Sequence, residues 1–128
     1  MTAQTVRLNT IASNLANANS VAGSEASTYR LKKPVFAPIS VAARSSESWP
    51  GVGVQVLDVV TIESPVRKEH QPGNPLADGN GHVYYPNVNP IDEMTDMMSA
   101  SRAFQTNAEV LISLRAMQRS LLELGESV

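Results

Sequence analysis

The stretch from Pro90 to Leu124 constrains this chain more than any other, because no Gly or Pro interrupts it after Pro90. One apolar stripe runs Met94, Met97, Ala100, Phe104, Ala108, Leu111, Leu114, Met117, Leu121, Leu124. Its steps of three and four are those of a helix with one apolar face. A second flank carries Val110, Ile112, Ala116 and Leu122, and a helix apolar on more than one face needs more than one neighbour. Asn89 is placed to cap the first turn, and Pro90 at the first helical position loses no needed donor. Asp92, Glu93 and Asp96 suit the positive end of the helix dipole, and Gly125 is a candidate stop. At about 1.5 Å per residue the helix would span roughly 50 Å, far above the average of about 11–12 residues. A chain of 128 residues has too little material to cover such a helix from all sides.

The opposite end carries a matching need. Leu8, Ile11, Leu15, Ala18 and Ala22 form a short heptad seam in a polar, nearly uncharged background of Asn, Ser, Thr and Gln, with Arg7 the only charge. A helix this short is marginal alone in water, so its partner is the C-terminal stripe. The seam is already in register at Met1, so the helix looks cut rather than capped.

Between the ends the pattern is β. Residues 19–28 read as a loop, and Tyr29 to Ile39 as one or two short edge strands broken by Pro34 and Pro38. Residues 40–51 form a second loop holding Trp49, more simply a cover over one end of a sheet than an exposed contact. Val52 to Ile62 is the clearest strand, with a bulge expected near Leu57–Val60 where the alternation slips. Asn80-Gly81 before His82–Tyr85 signals a two-residue hairpin turn. The fold class is therefore α+β. The N- and C-terminal helices pack as an antiparallel coiled-coil stalk (1–22 plus 89–128), and a small antiparallel β unit of three to five strands (23–88) is inserted between them.

Composition and motifs exclude most chemistry. Hydrophobic residues make up 42% and aromatics 5%, so the core is aliphatic. A formal charge of −2 gives nucleic acid and anionic membranes nothing to attract them. The absence of cysteine removes disulfide and thiolate chemistry. No run spans a bilayer, and no basic region followed by an apolar core marks a secretory signal, so export would need another route. His70 and His82 lack metal-ligand spacing and read as solvated loop histidines. Asp78, Asn80 and His82 lack the closing acidic residue of a calcium loop. No catalytic, cofactor, metal or small-molecule site is expected. Arg102, alone among uncharged neighbours, is expected at an interface.

Three blocks converge on one family. Ala12-Ser13-Asn14-Leu15-Ala16-Asn17-Ala18-Asn19-Ser20 resembles the Asn-rich signature of bacterial flagellar rod and hook proteins. Pro72-Gly73-Asn74-Pro75-Leu76-Ala77-Asp78, with Pro86-Asn87-Val88-Asn89, resembles the proximal-rod group of that family. So does Met98-Ser99-Ala100-Ser101-Arg102-Ala103-Phe104-Gln105-Thr106-Asn107. The resemblance implies a non-enzymatic structural subunit, exported unfolded by the flagellar type III apparatus without a cleaved signal. It implies assembly in the periplasm with other rod proteins and with copies of itself, into a rod that transmits torque. It also implies further helical turns ahead of Thr2, as a truncated start or another start codon would explain, and Phe104 stands where the family often has Tyr. The expected assembly residues are Leu8, Ile11, Asn14, Leu15, Asn17, Arg102, Phe104, Asn107, Leu111, Leu114, Met117 and Leu121. Leu8, Ile11 and Leu15 would meet Phe104, Ala108, Leu111 and Leu114 within one molecule. Val110, Met117 and Leu121 would meet neighbouring subunits. The rival readings are another rod or hook component, or a coiled-coil binding module.

Overall fold

The computed structural model describes residues 1–40 and 52–126. Trp49 and the rest of the loop around it lie outside the described residues. The order is α1 (Thr2–Asn17), a short 3₁₀ turn (Glu25–Ser27), β1 (Lys32–Ser40), β2 (Val52–Thr61), β3 (Arg67–His70), β4 (His82–Tyr85) and α2 (Pro90–Glu126). This is an α+β chain with two helices and two separate two-stranded antiparallel sheets, β1–β2 and β3–β4.

The start of α2 follows its sequence. Asn89 Oδ1 accepts the Ile91 amide at 3.1 Å, and Asn89 Nδ2 donates to Asp92 at 2.8 Å, so one residue caps the turn and holds its carboxylate. The end does not follow. Gly125 lies inside α2, which continues to Glu126, and the one described glycine with positive φ is Gly81. Glycine permits the left-handed turn without demanding it, and its cost of about 1 kcal/mol inside a helix is too small to stop one.

Helix α1 ends at Asn17, short of the expected seam. Ala18 remains helical in φ and ψ, while Ala22 has left the helix to pair with Tyr84 through two backbone hydrogen bonds of 3.0 Å. Fastening Ala22 to β4 requires extended backbone, which overrides the helical spacing. Among the described residues no side chain caps the start of α1.

β1 runs unbroken through both prolines. It has β2 on one side alone, so the missing donors of Pro34 and Pro38 can sit on its free edge. The expected bulge is present: Val35 pairs with Asp58 and Phe36 with Val56, which leaves Leu57 extra. The Asn80-Gly81 turn is not a two-residue hairpin. β3 and β4 are joined by the whole of residues 71–81, and Asn80 does not have the positive φ that such a turn needs. The loop is wound around Asp78 instead. Its Oδ1 accepts the amides of Asn80 and His82 at 2.9 Å, and its own amide donates to the His82 carbonyl at 2.8 Å. Gly23 lets this loop approach, since a Cβ there would lie 2.9 Å from the Leu76 carbonyl oxygen.

Candidate assembly interface

Helix α1 lies antiparallel on the first half of α2. Arg7 meets Asp96 at 3.4 Å, Asn14 meets Glu93 at 2.8 Å, and Met1 shares a cleft with Asn107. The buried apolar members of this contact are Ile11 and Ala100; Leu8, Leu15, Phe104 and Ala108 are half-buried. α1 also touches β1 and β2, so the ribbon is seated on the helix rather than hung from a linker.

Asn14 is the hub of this junction and is 1% exposed. Its Nδ2 donates to the Lys32 carbonyl and to Glu93 Oε2, both at 2.8 Å. Its Oδ1 accepts from the Lys32 amide at 3.1 Å and from the Tyr29 hydroxyl at 3.0 Å. A carboxamide has two donors and two acceptor lone pairs, so every valence is used. One side chain therefore ties α1 to the start of β1 and to the first turns of α2. Asn87 performs the same task below it. Its Oδ1 accepts the Leu31 amide at 2.8 Å, and its Nδ2 reaches the Ile62 carbonyl at 3.0 Å and Ser64 Oγ at 2.6 Å. Asn17, by contrast, donates only to the Ser13 carbonyl of its own helix, at 2.8 Å.

Glu93 and Asp96 do more than complement a dipole. Glu93 is 4% exposed and bound to Asn14, and Asp96 pairs with Arg7. Neither Glu93 nor Asn87 could be assigned these roles from the sequence. The signal available was an excess of asparagine at α1 and before α2, whose amides bond backbone wherever water is excluded.

The remaining expected residues are not brought together within the molecule. Every residue from 109 to 125 is exposed, including Leu111, Leu114, Met117 and Leu121. Leu111 and Leu114 therefore do not join the seam of Leu8, Ile11 and Leu15. The reason is length: α1 has 16 residues and α2 has 37, so about half of a roughly 55 Å helix extends past its partner. Arg102 is exposed beside Met94, Met97 and Met98, with no ion pair among the described residues.

The other titratable groups serve the β3–β4 loop. The His82 amide, bonded to Asp78, holds that carboxyl below its ordinary value; burial opposes this, and Asn80, the His82 ring and the Tyr84 hydroxyl assist. His82 is not a solvated loop residue: β pairing sets it against His70, with ring centres 5.0 Å apart, and it is partly covered. No group of three His, Cys, Asp or Glu residues able to hold a metal occurs among the described residues, and no described helix is long and apolar enough to cross a membrane.

Terminal helices that need further neighbours, joined by a small β unit, define a helical assembly subunit. The family comparisons place that class. Residues 1–23 match the family "Flagella basal body rod protein", and residues 80–124 match "Flagellar basal body rod FlgEFG protein C-terminal". The flagellar basal-body rod protein FlgC of Escherichia coli O157:H7 is 44% identical over 98% of this chain and 90% of its own length. That of Salmonella typhimurium strain LT2 is 43% identical over the same shares. That of Borreliella burgdorferi is 33% identical over 95% of this chain and 88% of the relative. The chain belongs to the FlgC family of flagellar basal-body rod proteins. It is a structural subunit of the flagellar basal-body rod, in a family of structural proteins rather than enzymes.

Proposed function

We propose that this chain builds the proximal part of the rod, packing against copies of itself and other rod proteins through the exposed half of α2. The observation that carries this is uncovered surface. The half of α2 from 109 to 125 is exposed throughout, an uncovered surface about 26 Å long. It includes Leu111, Leu114, Met117 and Leu121, each worth up to about 1.5–3 kcal/mol when fully covered.

In this reading residues 1–22 and 89–128 form the assembly stalk, with α1 and α2 extended into coiled-coil packing by neighbouring subunits. Residues 23–88 form the middle unit, whose β1–β2 ribbon is seated on α1. Many such contacts repeated along a helical array give the stiffness that torque transmission requires. Export by the flagellar type III apparatus, without a cleaved signal, and assembly in the periplasm belong to the same reading. It is supported by the resemblance and by a stalk that stays incomplete until partners arrive.

Leu111→Asp tests it. The residue is already exposed in the monomer, so folding should persist while rod assembly and motility are lost and export continues. Normal rods built from the Leu111→Asp chain would refute the proposal.

A further inference from the structure

The ribbon β1–β2 presents a second apolar surface. Antiparallel pairing sets Lys33 opposite Val60, Val35 opposite Asp58, Ala37 opposite Gln55 and Ile39 opposite Gly53 on one face. The alternate residues Phe36 and Val54 line the cleft with α1, so beyond Lys33, which borders the cleft at the base of the helices, this face turns away from α1. Val35, Ile39 and Val60 are exposed on it. Lys33 has no ion pair among the described residues, and Asp58 accepts only the amide of Val59, at 2.7 Å.

The second flank of α2 carries the complement. Ile112, Ala116, Arg119 and Glu123 follow one another by three or four residues and share a face, about a third of a turn from the side that meets α1. All four are exposed, and neither Arg119 nor Glu123 has an ion pair among the described residues. The spacings agree. Arg119 and Glu123 are about 6 Å apart along the helix. Lys33 and the level of Asp58 are about 7 Å apart along the ribbon. With Glu123 on Lys33 and Arg119 on Asp58, Ala116 and Ile112 fall within about 3 Å of the levels of Ala37 and Ile39 along the ribbon.

The two surfaces of one molecule cannot meet. Lys33 shares a cleft with Glu93 and Asp96 at the base of α2. Glu123 lies about 40 Å further along the same helix. The other half must come from another molecule, and a second copy carries it.

Resting on the rod-subunit reading above, we propose that the Ile112–Ala116–Arg119–Glu123 face of α2 docks on the outer β1–β2 face of the next copy, with Glu123 against Lys33 and Arg119 against Asp58. Such a contact joins two different patches. It leaves each patch's complement free on the outer copies, so it propagates head to tail instead of closing a dimer, and gives an open helical array where the rotation between copies does not close a ring. An open array is what a rod subunit needs.

The absence of cysteine gives a clean background for the test. The full chain carrying Lys33→Cys and Glu123→Cys is expressed in flagellated cells in place of the resident protein, and basal bodies are isolated and oxidised. The expected result is a ladder of cross-linked copies that reduction collapses. Each single variant, and Lys33→Cys paired with Glu109→Cys, should give none. Basal bodies that contain the chain but yield no ladder overturn the docking while leaving the rod reading intact. A cysteine-free chain that never enters basal bodies overturns both.

Discussion

Replacing Asn14 with alanine tests the claim that one buried amide fixes α1, β1 and α2 together. The substitution removes four hydrogen bonds at once. Tyr29 keeps a partner, because its hydroxyl also lies 3.1 Å from Ser13 Oγ. The Lys32 amide and carbonyl lose theirs near the surface, at about 1 kcal/mol each. Glu93 loses its donor while nearly fully buried, at about 2–3 kcal/mol. The expected loss is about 4 kcal/mol, a large part of the roughly 6–19 kcal/mol available to a domain of this length. It should lower Tm by about 15 °C in thermal unfolding of the purified chain. Asn17→Ala is the matched control, since its amide bonds only its own helix, and it should cost under about 1 kcal/mol. Adding Glu93→Ala to Asn14→Ala removes the stranded carboxylate, so the double variant should lose about 1–2 kcal/mol less than the two single losses combined. If Asn14→Ala melts within the error of Asn17→Ala, the hub is not holding the junction and the reasoning fails.

Other consequences can be measured independently. Gly23→Ala should destabilise by about 1–3 kcal/mol, because the new methyl meets the Leu76 carbonyl oxygen at 2.9 Å and backbone must shift; unchanged urea unfolding would contradict this. The depressed Asp78 carboxyl makes its loop acid-sensitive. Its contribution is fully present above the unfolded value near 3.8 and is lost as pH falls through the lower folded value. The Asn80 and His82 amide resonances should therefore shift together below about pH 4, and Asp78→Asn should abolish that titration. In the isolated chain, amides of residues 109–126 should exchange much faster than those of 93–108, because only the latter are covered by α1. Equal protection in both halves would show that the exposed half needs no neighbour.

The long helix, its Asn89 cap, the strand at Val52–Thr61 and its bulge at Leu57 were all legible in the sequence. Each is governed by local rules: a repeat of three and four, a short polar side chain before a proline, or a slip in alternation. Family membership was legible for a related reason, since short blocks of Asn, Pro and Gly are chemically distinctive at any depth of burial. Where tertiary pairing competed with a local rule, the local rule lost. Ala22 fitted the helical seam and went to Tyr84 instead, and Asn80-Gly81 fitted a tight turn and was wound around Asp78.

What the sequence determined by itself is that two mutually dependent helices flank β-rich sequence, which the structure divides into two separate sheets, and that the C-terminal helix has more apolar faces than this chain can cover. Periodicity and length decide both, and neither requires knowing where anything packs. What only the tertiary structure decided is where coverage ends and which asparagines hold the junction. α1 runs antiparallel, with Asn14 at Glu93 and Met1 level with Asn107, so the expected seam breaks after Ala108 and residues 111–125 are left exposed. Asn14 and Asn87 became central because the backbone at Lys32, Leu31 and Ile62 lay within reach of their amides. A hydrogen bond between residues far apart in the chain depends on a distance that no local pattern encodes.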